Sequence, residues 1–177
     1  TTGSSNTAVG QDSLGANTTG DYNTAVGNTA LDANTEGDHN SAFGQTALGA
    51  TTTGSNNAAF GTNAMADNTT GAYNSAFGSS ALISNTTASN NVAIGRSALG
   101  VNTEGSNNTA VGTYALDANT TAQQSVAIGY QALSANTTQG YNTAVGALAG
   151  RDNTTGEGLT AIGHVALVKN TTGNYNT

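Results

Sequence analysis

The chain contains no cysteine and no tryptophan, and it has only three phenylalanines and three basic residues. Each shortage excludes something. Without cysteine, no disulfide framework holds the fold. With so few large apolar side chains, and with alanine supplying much of the 36% hydrophobic fraction, an ordinary globular core is excluded. Burial at ~25 cal/mol per Å² must offset ~1–2 kcal/mol of backbone entropy per ordered residue. Two arrangements close that gap: dense backbone hydrogen bonding between identical neighbours, or burial against other chains. Lys169, Arg96 and Arg151 form no basic patch on a chain of net charge −7. That argues against nucleic acid and against an anionic membrane surface as partners. No apolar run approaches the ~20 residues that span a bilayer, so no membrane insertion is expected. No signal peptide is visible, since Thr1 opens in mid-repeat.

What is present is a 17-residue motif that recurs without insertion or deletion. Copies start at Asn6, Asn23, Asn40, Asn57, Asn74, Asn91, Asn108, Ser125, Asn142 and Leu159, with an incomplete copy at each end. Residues 1–177 therefore read as one uninterrupted repeat array and as a segment of a longer fibre. Disordered tracts have no need to hold a period. Fixed-period self-similarity is the mark of a stacked repeat architecture.

Numbering the motif from its first Asn, position three is Ala in every copy: Ala8, Ala25, Ala42, Ala59, Ala76, Ala93, Ala110, Ala127, Ala144 and Ala161. Position four is Val9, Val26, Phe43, Phe60, Phe77, Ile94, Val111, Ile128, Val145 and Ile162. Position five is always Gly; position eight is Ala except for Ser13; position nine is Leu except for Met65 and Gly150. Position twelve is Asn except for Thr51, position thirteen is always Thr, and position fifteen is mostly Gly. Glycine inside a helix costs ~1 kcal/mol, and Asn and Thr are mediocre helix formers. Positions one to four instead read as a short strand closed by Gly, with positions eight and nine opening a second short segment. Asn-Thr-Thr-Gly at twelve to fifteen reads as a turn, or as a third strand followed by a turn.

These features predict an all-β fold: a parallel β-solenoid (β-roll or β-helix), one repeat per coil, ten coils. At ~4.8 Å per coil the rod is on the order of 48 Å long. Strand side chains alternate, so positions two and four share one face and position three takes the other. Large apolar residues at four and nine are expected to meet inside the coil as the core ladder. Position three then takes the opposite side, and its constant Ala implies a close neighbour there, either a second wall of the same chain or another chain packed against it. The ten alanines are therefore the candidate inter-chain packing residues, in a trimer of solenoids or in a single-chain solenoid packed otherwise.

Catalytic candidates are scarce. His39 and His164 occupy different places in the repeat, and Asp12, Asp21, Asp32, Asp38, Asp67, Asp117 and Asp152 are scattered. Calcium-binding rolls need a recurring Asp in a Gly-Gly-x-Gly-x-Asp setting. A phosphate loop needs a Lys-Ser/Thr beside its glycines. Neither pattern exists, so no catalytic, metal or cofactor residues are assigned, and no enzyme is expected. Asn17, Asn68, Asn85, Asn107, Asn119, Asn136, Asn153 and Asn170 open Asn-x-Thr sequons and are candidate glycosylation sites. Glycans on adjacent coils would be crowded at ~4.8 Å. The competing reading is an Asn ladder or turn cap.

The residues also resemble a family. Ser125-Val126-Ala127-Ile128-Gly129 and Asn91-Val92-Ala93-Ile94-Gly95 are similar to the core of head repeats in trimeric autotransporter adhesins. The resemblance implies left-handed parallel β-rolls, three chains to a rod, with the apolar pair inside each roll and Ala near the trimer axis. The wider motif is also similar to repeats of bacterial and phage tail-fibre-like proteins. The Asn-Thr-Thr-Gly segment makes each coil longer than the adhesin head repeat. The implied function is a structural or adhesive rod of an extracellular or cell-surface fibre, bacterial or phage. Its partners would be copies of itself, as homotrimer or filament, and a host surface, matrix or glycan. The alternative is an ice- or polysaccharide-binding solenoid that uses its Thr-rich face.

Overall fold

The computed structural model describes residues 2–177. Ten three-residue strands run from β1 (Thr7–Val9) and β2 (Thr24–Val26) through β3 (Ser41–Phe43), β4 (Ala58–Phe60), β5 (Ser75–Phe77), β6 (Val92–Ile94), β7 (Thr109–Val111), β8 (Val126–Ile128) and β9 (Thr143–Val145) to β10 (Thr160–Ile162). They form one parallel sheet in sequence order. Register is one repeat per step, with Thr7 opposite Thr24, Ala8 opposite Ala25 and Val9 opposite Val26. The chain is thus an all-β parallel solenoid with 17 residues per coil. The described residues contain no helix, so none is long and apolar enough to cross a membrane.

Each coil has a single strand wall. Positions eight and nine do not start a second strand, because three non-glycine residues per coil adopt left-handed backbone. Position seven has φ of 52–61°; position nine 47–53°, leaving Gly150 aside; position seventeen 55–63°, leaving Gly158 aside. Such a conformation costs roughly 1–2 kcal/mol per residue. At position nine the cost is offset by a fully buried leucine, worth about 1.5–3 kcal/mol. Turns close the coil: the Ala30 N–H donates to the Gly27 carbonyl, and the Asn34 N–H donates to the Leu31 carbonyl. Position five requires glycine for a further reason. Gly95 has φ +124°, and a Cβ there would lie 2.7 Å from the Gly112 carbonyl carbon of the next coil.

The core inverts the expected faces. Ala25, Ala42, Ala59, Ala76, Ala93, Ala110, Ala127, Ala144 and Ala161 are buried inside the coil with the position-eight alanines and the position-nine leucines. Ala8 belongs to the first coil and is exposed. Position four points outward. Val9, Phe43, Phe77, Ile94, Ile128 and Ile162 are exposed, and Val26, Phe60, Val111 and Val145 are half-buried. Two alanines and one leucine per coil leave no room inside for a Phe or Ile at every rung. The alanine is constant because the interior is narrow, and not because a second chain presses on it.

Asparagines complete the interior. At position one, the Asn40 N–H donates to Asn23 Oδ1 (2.9 Å), and Asn40 Nδ2 donates to the Gly54 carbonyl (2.8 Å). At position twelve, Asn34 Nδ2 donates to Asn17 Oδ1 (2.8 Å) and to the Gly37 carbonyl (3.1 Å). The Gly37 carbonyl also accepts from Asn23 Nδ2, so one carbonyl ties both ladders together. Thr51 interrupts the second ladder and leaves the buried Oδ1 of Asn34 without a donor. Thr51→Asn is expected to restore the rung and to raise stability by about 1 kcal/mol, the usual net worth of a buried hydrogen bond. Urea denaturation checks this; an unchanged or lower midpoint would count against the ladder.

Candidate functional site

A feature that the fold does not consume is the outer face of the sheet. Alternation sends positions two and four to the same side, and neither faces the core. Position four supplies an unbroken column of ten Val, Phe or Ile side chains. In its middle the rings of Phe43, Phe60 and Phe77 stack at centroid distances of 4.8 and 4.9 Å, with planes 7° and 4° apart. That spacing is the rung spacing of a sheet, so the rings follow the backbone ladder without adjustment. Beside the three Phe, position two is small: Ser41, Ala58 and Ser75. Large contiguous apolar surface of this kind marks interaction sites on soluble proteins.

The other predicted sites are placed as follows. Of the eight sequon asparagines, Asn68, Asn85, Asn119, Asn136 and Asn153 are fully buried. Their amides bond within the ladder, as Asn85 Nδ2 does to Asn68 Oδ1 at 2.8 Å. A glycan on any of them is incompatible with the folded coil. Asn17 and Asn170 are partly buried, with their amides donating to the Gly20 and Gly173 carbonyls. Asn107 alone is exposed, since it sits at position seventeen and outside the ladder. The threonines at position thirteen are also engaged. The Thr18, Thr35, Thr69 and Thr103 hydroxyls each donate to the threonine carbonyl of the next coil at 2.9–3.2 Å. That row does not present free hydroxyls.

The charged side chains pair locally. Arg151 Nε and Lys169 Nζ contact Asp152 at 2.6 and 2.9 Å, and these two cations hold its carboxyl at about 2. Arg96 lies 5.3 Å from the ring centre of Tyr114. All three basic residues are therefore occupied within the coil stack. Partial burial raises the Asp117 carboxyl above its ordinary value. His39 stacks on Tyr22 at 4.9 Å, while His164 is exposed elsewhere on the surface. Among the described residues no three His, Cys, Asp or Glu side chains gather as metal ligands. Tyr22, Tyr73, Tyr141 and Tyr175 are exposed along the stripe at position seventeen.

Sequence reasoning placed the apolar ladder inside and so missed this surface. The missed signal was volume: position four accepts Val, Ile and Phe interchangeably, which a close-packed interior resists. Compared with known proteins, the chain matches no family model, no curated protein and no solved structure.

Proposed function

We propose that this chain is a non-catalytic structural rod of an extracellular or cell-surface fibre, and that copies associate side by side through the outer face of the sheet. The ten-rung apolar column carries the reading. A monomer would leave that column in water at a cost of roughly 25 cal/mol per Å². Each chain has one such face, which suits a closed assembly whose faces meet on an axis. A homotrimer of parallel rods, the arrangement implied by the adhesin-like motif, is the form proposed. In it position four, and not the alanine of position three, lies toward the axis. Translation along the rod repeats every rung, so parallel copies meet in register at each coil. Adhesion would then belong to the variable outer positions.

Sedimentation equilibrium tests the reading. The expected mass is three times the 17.3 kDa of the chain, reduced to that of a single chain by Phe60→Asp without loss of β-structure. A wild-type chain that stays monomeric at its highest soluble concentration contradicts it.

Ice binding is the weaker reading. The bonded hydroxyls of position thirteen do not favour it, and the outward threonines of position two are interrupted by Ser41, Ala58, Ser75, Val92 and Val126.

A further inference from the structure

One stretch of the rod breaks its own hydrogen-bond pattern. In most other coils the side chain at position sixteen accepts the N–H of the same position one coil earlier, as Asp38 does for Asp21 (2.7 Å) and Ser106 for Ser89 (3.1 Å). At this position Gln123 is followed by Gly140, which has no side chain with which to accept. One residue earlier, Gln139 replaces the small residue found at position fifteen in every other coil. Among the described residues, the N–H groups of Gln123, Thr138, Gln139 and Gly140 donate to no protein acceptor. The ladder beneath is dislocated at the same level, where the buried Oδ1 of Asn119 has no donor.

A shallow cavity of about 210 Å³ lies over this break, and its walls include Gln123, Gln139, Gly140, Tyr141 and Glu157. Tyr141 is exposed in the left-handed conformation of position seventeen, at the rim. Glu157 is half-buried beside it. The cavity is smaller than the sites of drug-sized ligands, which begin at about 300 Å³, and its volume suits a single sugar ring. It combines an aromatic plate, a carboxylate acceptor, two side-chain amides and unpaired backbone donors.

We propose that this notch binds one unit of an uncharged polysaccharide. A pyranose has an apolar C–H face and a rim of hydroxyls. The C–H face would stack on Tyr141, burying apolar area against the ring while the phenol stays wet. Ring hydroxyls would donate to Glu157 and accept from the N–H groups of Gln139 and Gly140. Glu157 and the net charge of −7 disfavour acidic sugars. The site is independent of side-by-side association: it lies on the corner next to position seventeen and not on the sheet face.

The test is titration of the ¹⁵N-labelled full chain with cellohexaose, maltohexaose and chitin hexasaccharide, with a galacturonate hexamer as the acidic comparison. The expected result is movement of the Gln139, Gly140 and Tyr141 amides with at least one neutral oligosaccharide, with Kd on the order of 1 mM. Tyr141→Ala and Glu157→Gln are each expected to weaken binding at least tenfold. Tyr73→Ala, a stripe tyrosine far from the notch, is expected to leave it unchanged. No movement with any neutral oligosaccharide, binding that survives Tyr141→Ala, or equal binding of the acidic hexamer would overturn the proposal. Sedimentation mass is read separately, so failure here leaves the rod reading standing.

Discussion

Aspartate at Ala93 is expected to abolish the folded coil, while aspartate at the very next residue, Ile94, leaves it folded. Ala93 is fully buried between two rungs of the interior, with no donor placed for a carboxylate. An unpaired buried charge costs about 3–5 kcal/mol or more. Coils contact only their neighbours, so a failed coil in mid-rod separates the array into two shorter stacks. Ile94 is 42% exposed. In the separated chain the new carboxylate reaches water and loses only part of the contact with Phe77 and Val111, for a cost of about 1 kcal/mol to the coil itself. The substitution therefore releases any side-by-side association through position four but keeps each chain folded. Far-ultraviolet circular dichroism and urea midpoints of the two variants are the measurement. Equal damage from both substitutions, or greater damage at Ile94, would show that the faces are assigned the wrong way round.

The second large effect concerns two consecutive coils, in which two ladders fail one after the other. Gly150 occupies position nine, where eight coils carry Leu, and Leu159 occupies position one, where eight carry Asn. The two exceptions compensate each other. Leu159 is fully buried. A Cβ at Gly150 would meet Leu159 Cδ2 at 2.9 Å and Leu133 Cδ2 at 3.0 Å. The Leu159 side chain thus reaches toward the place that a leucine at 150 would fill. Gly150→Leu alone overfills the interior, at a cost of about 1–3 kcal/mol. Leu159→Asn alone empties it, at about 2–5 kcal/mol. The double variant rebuilds both regular ladders. Its new side-chain amide enters the pattern that elsewhere donates to the position-fifteen carbonyl, as Asn91 Nδ2 does to Gly105 (2.9 Å). The coupling energy is expected to be about 2 kcal/mol in favour of the double variant. Additive losses in a four-protein denaturation cycle would deny that the two residues share one space.

Much of the architecture was legible because a period is a strong constraint. An unbroken 17-residue phase with Gly at position five and β-branched or aromatic residues at position four admits a stacked parallel coil and little else. The Asn ladder was legible as one of two readings, and the hydrogen bonds of Asn34 and Asn85 decide for it. Two things were not legible. The first is the left-handed backbone at positions seven, nine and seventeen. Leucines such as Leu82, with φ 51°, give no local signal for it, since Gly and Asn are the residues that favour that conformation. Stacking on identical coils holds them there. The second is which face is inside. Alternation fixes that Ala93 and Ile94 point oppositely, but not which of them points inward. The habit of placing the larger residue inside fails here because the coil is too narrow. Constant volume at position three against variable volume at position four was the usable clue.

The surface notch was the least legible feature. It arises from departures that look like noise in a repeat, Gln139 at position fifteen and Gly140 at position sixteen. Their consequence, four unpaired N–H groups, appears only when the coils are stacked.

Thiol reactivity at two adjacent positions tests the central claim most directly, and the absence of native cysteine makes the background clean. Ala93→Cys and Ile94→Cys chains are alkylated, and separately oxidised, under native conditions. The structure predicts that the thiol at 94 reacts, with reagent where the face is free or with its own copy where the face is joined. The thiol at 93 does neither until the chain is unfolded. A thiol at 93 that alkylates or cross-links chains while the one at 94 stays inert would contradict the assignment of alanine to the interior and the apolar ladder to the outside.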